Sequence, residues 1–212
     1  MTGAAGALAA EWIGPARTAL LIIDMQVDFA APHGAMGRAG ADLTTVPAAL
    51  AAARRLATSA RAAGVAVIFV RLETTPGTNS PAWAERRHRL GEAAGEGGFC
   101  RVGETGADFV GPRPTPGETV IGKRRYSGFF ATDLESRLAA GGIDTLVVCG
   151  LTTECCVAAT ARDAFERDYH VFLAADACAA YEPSLHAAAL KSLALNCAIL
   201  VTAEDVEAAW AI

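Results

Sequence analysis

Long apolar runs are missing from this chain of 212 residues. Its strongly apolar stretches, such as Val65 to Val70, fall far short of the roughly 18 residues that suggest a membrane span, so no segment is expected to cross a bilayer. Basic charge is short as well. Lys plus Arg total 18 against 23 Asp plus Glu, a net charge of −5, which argues against general affinity for nucleic acid or an anionic membrane. The first ten residues carry no Lys or Arg and the first charge is Glu11, so the pattern of a secretory leader is absent and a cytoplasmic location is expected. Aromatic residues make up only 7%, yet an apolar content of 52% rules out disorder as the dominant state. The six cysteines are too sparse for a disulfide-stapled scaffold and lack CxxC spacing, so most are expected to be buried thiols. His33, His88, His170 and His186 show no paired ligand spacing and read as surface or helix-face residues.

The length suits one domain of generous size, taken as residues 1–212. Thr18 to Asp24 is an aliphatic run ending in an acid, which reads as a strand buried on both faces. A helix follows, with Thr45 as its cap, Pro47 in its first turn, a stripe of Leu50, Ala53, Leu56 and Ala60, and Gly64 as its stop. Further strands are expected at Val65 to Val70, Thr119 to Gly122, Thr145 to Cys149, His170 to Ala174 and Cys197 to Val201. Between them, Thr132-Asp133-Leu134-Glu135 reads as a capping box, and helices are expected at about Thr153 to Arg167 and Pro183 to Leu195, with Thr202 capping a terminal helix. The stretch from Gly91 to Glu118 holds 8 Gly and 3 Pro in 28 residues, so it is a long functional loop and not regular structure throughout. The sum is a three-layer, doubly wound α/β domain with a six-stranded parallel sheet, whose ligands bind outside the carboxyl ends of the strands.

Three chemically loaded residues fall just past strand ends: Asp24, Lys123 and Cys156. Cys156 lies in the first turn of an expected helix, where unpaired N–H groups and the helix dipole favour thiolate over thiol. Asp24 could accept its proton and backbone N–H groups could hold an oxyanion, a combination suited to acyl transfer from an amide.

Three ordered blocks then carry a resemblance. Asp24-Met25-Gln26-Val27-Asp28-Phe29, Lys123-Arg124-Arg125-Tyr126-Ser127-Gly128-Phe129-Phe130, and Gly150 through Val157 resemble the signature blocks of the isochorismatase-like cysteine hydrolases, over about residues 17 to 205. The resemblance implies an Asp24, Lys123, Cys156 triad, a cis Leu151–Thr152 peptide, and an oxyanion hole from the amides of Thr152 and Cys156. It also implies a homodimer or homotetramer. The middle block looks closest to the branch acting on ureido or carbamoyl amides, with Phe29, Tyr126 and Phe129 as pocket walls. Arg71, Trp83 and Arg86 lie where the family's variable lid begins and are candidates to hold a substrate, the arginines through a carboxylate. The metal-binding Asp-x-His of the nicotinamidases is not matched by Arg71-Leu72-Glu73-Thr74-Thr75, so neither metal nor cofactor is expected.

The expected function is a metal-independent cysteine amidohydrolase that cleaves a small carboxamide or ureide through a thioester acyl-enzyme. The alternatives are a nicotinamidase-like amidase of the same fold and a noncatalytic small-ligand protein with a redox-reactive Cys156.

Overall fold

The computed structural model describes residues 10–78, 80–91 and 98–211. Six strands form one sheet in which every pairing is parallel: β1 Thr18–Ile23, β2 Ala66–Leu72, β3 Thr119–Lys123, β4 Thr145–Leu151, β5 His170–Ala179 and β6 Ile199–Val201. Their spatial order is β3-β2-β1-β4-β5-β6. Every residue of β1 and of β4 is buried, as expected for central strands covered on both faces. The chain therefore winds outward in two directions from β1 and β4. Right-handed crossovers then place the connecting helices on opposite faces, and the two windings part at the β1–β4 boundary.

The helices are α1 Val27–Ala30, α2 Ala35–Arg38, α3 Val46–Ala63, α4 Pro81–Arg89, α5 Leu134–Ala140, α6 Ala158–Phe165, α7 Pro183–Asn196 and α8 Ala203–Trp210. In α3 the buried residues Val46, Ala49, Ala52, Ala53, Leu56, Ala57 and Ala60 recur at helical spacing and form its core stripe. Leu50 sits at the edge of that stripe, only partly buried. Gly64 ends the helix at φ 74°, where a left-handed residue closes the last turn. α3 packs beside α8 on one face of the sheet, and α6 packs beside α7 on the other.

Several local expectations are corrected. The Thr45 side chain does not cap α3; its hydroxyl lies 3.4 Å from the Ala180 carbonyl oxygen. No capping box forms at Thr132, because Asp133 occupies the cap position and Glu135 is drawn across to Arg167. The expected helix from Thr153 begins instead as a π turn, Thr153–Val157, and α6 closes at Phe165. β5 continues past Ala174 to Ala179 after a bulge against β4, at which Asp176 turns outward and accepts the Ala203 N–H at 2.8 Å. The short α1, α2 and α4 were not expected, since four to nine residues show too little periodicity. In the described part of the Gly91 to Glu118 loop the one helical turn is a 3₁₀ turn, Thr105–Ala107, and the loop is pinned by isolated bridges Gln26–Phe109 and Thr74–Arg101.

Gly150 shows how closely β1 and β4 approach. Its φ is 138°, and a Cβ there would lie 2.1 Å from the Ile23 carbonyl oxygen. Gly150→Ala should lower the unfolding free energy by about 2 kcal/mol or more, in line with a residue forced into a glycine-only conformation. Urea denaturation of the two proteins measures it.

Candidate active site

The carboxyl ends of β1, β3 and β4 converge where the windings part. The register pairs Ile23 with Gly150 and Leu72 with Lys123, so the residues that follow these positions share one edge of the sheet. Asp24 leaves β1 with φ 49°, a left-handed conformation uncommon outside glycine, and its N–H is held by the Val70 carbonyl at 2.8 Å. Lys123 is the last residue of β3 and one of only two lysines in the chain. Asp24 and Lys123 are both 0% exposed. The Leu151–Thr152 peptide after β4 is cis, and the π turn that follows delivers Cys156, also buried.

These three side chains form a contact chain. Lys123 Nζ lies 2.7 Å from Asp24 Oδ2, and donates to Cys156 Sγ at 3.3 Å and to the Arg125 carbonyl at 3.0 Å. An ammonium has three donors, and each has an acceptor here. Burial pulls the Lys123 pKa down, but the Asp24 carboxylate and the Cys156 sulfur more than offset that and hold it above its ordinary range. Apart from the ion pair, neither Asp24 oxygen accepts a hydrogen bond among the described residues.

The expectation of a resting thiolate is corrected. The hydrogen bond with the Cys155 thiol, burial and the nearby Asp24 carboxylate all push Cys156 above the ordinary thiol range, against the pull of Lys123. Cys155, half-buried, is lowered by the same hydrogen bond. The turn that carries both cysteines is a π turn and not the first turn of an α-helix.

Around this centre, Thr152 and Cys156 share the turn, with the Thr152 carbonyl taken by the N–H groups of Cys155 and Val157. Thr160 ties the turn to the middle block, donating to the Cys156 carbonyl at 2.7 Å and accepting from the Gly128 N–H at 3.0 Å. Phe29 stacks on Phe99 with ring centroids 5.8 Å apart. Tyr126 is 54% exposed, and burial of the rest of its ring with the nearby Cys155 and Cys156 raises its pKa.

Two candidate substrate contacts are not brought here. Arg71 is committed to Glu73, its Nε donating at 2.7 Å, and lies over the Phe109 ring. Phe129 turns away into the core against Tyr169, with Arg167 over its ring. A cavity of about 930 Å³ lies at the opposite, amino end of the sheet beside Trp12, Phe165 and Leu195, and none of the three central residues lines it.

Further residues, some of them inside the quoted blocks, take roles that spacing alone does not show. The Gln26 amide donates to the Leu72 and Ala107 carbonyls and accepts the Leu72 N–H, joining β1, β2 and the loop. Asp28 accepts the N–H groups of Ala35 and Cys100, and Gly106 packs so close that a Cβ would lie 2.3 Å from its carboxylate. Tyr181 donates to the Phe29 carbonyl at 2.9 Å and sits among the charges of Glu154 and Asp24. Glu154 accepts from the Thr152 hydroxyl at 2.8 Å through Oε1, while its buried Oε2 has no partner among the described residues. His186, expected on a helix face, is half-buried and braces the turn through Thr153 at 2.8 Å, its pKa lowered by burial. Among the described residues no group of three or more His, Cys, Asp or Glu is placed to hold a metal ion.

A doubly wound parallel sheet with an acid, a lysine and a cysteine gathered at its switch point is the fold of the isochorismatase-like cysteine hydrolases. The chain belongs to the isochorismatase family, whose domain matches residues 18–205. It is 36% identical over 192 residues to the ureidoacrylate amidohydrolase RutB of Methylobacterium radiotolerans, covering 85% of this chain and 74% of that one. Among solved structures it resembles a cysteine hydrolase from Pseudomonas syringae pv. phaseolicola, with TM-score 0.80, 26% identity and 94% of each chain covered. It also resembles the N-carbamoylsarcosine amidase of Thermoplasma acidophilum, with TM-score 0.70, 28% identity, and 89% of this chain and 97% of that one covered.

A raised thiol pKa has a direct readout. Iodoacetamide labelling of Cys156 should still be accelerating with pH above about 8.5, the value of a free cysteine. In Cys155→Ala, where the first of the raising causes is gone, the same profile should move to lower pH. Mass spectrometry of the labelled peptide across pH checks both.

Proposed function

We propose that this hydrolase cleaves the C–N bond of a small carboxamide or ureide through a thioester on Cys156. Asp24 takes the thiol proton as Sγ attacks the carbonyl carbon, and Lys123 stabilises the sulfur as it becomes anionic. The amides of Thr152 and Cys156 hold the oxyanion, the Asp24 proton passes to the leaving nitrogen, and ammonia or an amine departs. Water then adds to the thioester, gives its proton to Asp24, and the C–S bond breaks to release the acid and restore the thiol. The observation that carries this reading is the Asp24–Lys123–Cys156 contact chain, with separations of 2.7 and 3.3 Å inside protein. A thiol protonated at rest suits it, because the proton leaves only when a carbonyl is there to be attacked.

The ureidoacrylate amidohydrolase relative, at 36% identity, supports a ureide or acyclic amide over nicotinamide, although a pyrazinamidase/nicotinamidase of Streptococcus mutans shares the fold at 26% identity. We take the enzyme to work in the cytoplasm, as a single domain and without a metal; among the described residues no helix is long and apolar enough to cross a membrane.

Ammonia release from ureidoacrylate, biuret, N-carbamoyl amino acids and nicotinamide, with a chelator present throughout, tests the reading. Cys156→Ala should abolish turnover, while Asp24→Asn and Lys123→Met should each lower kcat by at least about 10²-fold. Cys155→Ala should keep most activity. Substantial turnover by folded Cys156→Ala would assign the nucleophile elsewhere, and loss of activity in chelator would restore a metal.

The family resemblance supports a homodimer or homotetramer. Light scattering at micromolar concentration should return a mass of at least twice the 21.8 kDa chain.

A further inference from the structure

The hydrolytic steps leave one acid of the reactive turn without a task. Glu154 lies two residues before Cys156 on the Thr153–Val157 turn, and the two oxygens of its carboxyl group meet different surroundings. Oε1 accepts the Thr152 hydroxyl at 2.8 Å, while Oε2 is enclosed by protein and has no partner among the described residues. A buried acceptor left without a donor costs stability, and native structures hold few of them. Here that cost falls beside the nucleophile.

Thr152 shows what the acid does there. It occupies the cap position of the turn, where the hydroxyl of a threonine ordinarily accepts a backbone N–H from two or three residues further on. This hydroxyl caps no N–H and donates to Glu154 instead. The Thr152 carbonyl is committed to the same turn, taking the N–H groups of Cys155 at 3.1 Å and Val157 at 3.2 Å. Two of the three polar groups of Thr152 are therefore fastened to the segment that carries Cys156. The third, its N–H, belongs to the oxyanion hole in the hydrolytic reading, and such donors are effective only when their aim is fixed before the charge forms. Thr153 is anchored separately, its hydroxyl meeting His186 Nδ1 at 2.8 Å, so the side-chain tie on Thr152 is the one that Glu154 supplies.

We infer that Glu154 is a positioning residue: through the Thr152 hydroxyl it fixes the aim of the Thr152 N–H at the oxyanion, and the fold accepts an unpartnered oxygen to keep it there. This rests on the hydrolytic reading above and deepens it. Glu154 itself touches no reacting atom in this role. Its loss should slow the chemical step and leave substrate binding in place, because the oxyanion exists only beyond the ground state.

The test measures ammonia release from the best substrate of the amide panel, together with Tm. Glu154→Met removes both oxygens at similar volume and should lower kcat about tenfold, equivalent to about 1.4 kcal/mol, with KM within about twofold. Its Tm should equal or exceed that of the parent enzyme, since the orphan oxygen is gone, whereas loss of a residue that serves the fold alone would lower Tm and spare the kcat of the folded protein. Glu154→Gln keeps an oxygen for the hydroxyl and should recover most of kcat. Thr152→Val should match the loss in Glu154→Met, and the double variant should lose no more than either alone, because both changes cut one hydrogen bond. Thr152→Ser, which keeps the hydroxyl, should recover most of kcat as well. Parental kcat in folded Glu154→Met, a Glu154→Gln as slow as Glu154→Met, or losses that multiply in the double variant overturns the positioning role and leaves the amidohydrolase reading standing, as does a Tm for Glu154→Met below the parent value. If the parent enzyme hydrolyses no member of the panel, the reading beneath falls and this role falls with it.

Discussion

An ion pair with no solvent contact governs how the rest of this molecule is arranged. Moving a carboxylate and an ammonium into protein costs several kcal/mol each even after relaxation. Asp24 and Lys123 are stable there because they lie 2.7 Å apart and because the ammonium spends its remaining donors on a sulfur and a carbonyl. That arrangement demands that the ends of β1 and β3, two strands apart in the sheet, stay in register through β2. Gln26 provides the fastening, bonded to both backbone groups of Leu72 and to the loop at Ala107.

The same pair sets the chemistry. A thiol beside a lone lysine would ionise readily, but here the lysine is already matched by a carboxylate. The net field at Cys156 is therefore close to balanced, and the hydrogen bond with Cys155 and burial decide the direction, upward. The balance favours a protonated Cys156 thiol, with the Asp24 carboxylate one ammonium away. A redox-sensing cysteine requires the reverse, an exposed thiol of low pKa. This contrast sets a hydrolytic role apart from a sensory one.

Position in the fold explains why the centre forms where it does. With strand order β3-β2-β1-β4-β5-β6, the chain leaves β1 and β4 toward opposite faces, and a crevice opens between them. Asp24 and the Thr153–Val157 turn flank that crevice, and the absence of a side chain at Gly150 lets the two strands come close enough to share it. Contacts remote from the chemistry, such as Thr160 to Gly128 and His186 to Thr153, then hold the turn against the middle block and α7.

Much of this was legible in the residues themselves. Aliphatic runs such as Thr18 to Ile23, the glycine stop at Gly64 and the acid, lysine and cysteine placed after strands identify a parallel doubly wound sheet and its reactive edge, because these signals are local and repeat with the geometry of strand and helix. What linear order does not contain is which of several like residues meet. Arg71 reads as a substrate contact, yet it is neutralised by Glu73, a pairing set by side-chain geometry at the sheet edge. Phe129 reads as a pocket wall but packs on Tyr169, forty residues further along. The protonation of Cys156 was likewise decided in three dimensions. Helix position argued for a thiolate, but burial, a neighbouring thiol and a carboxylate from another strand outweigh a local dipole, and these come together only when the chain has folded.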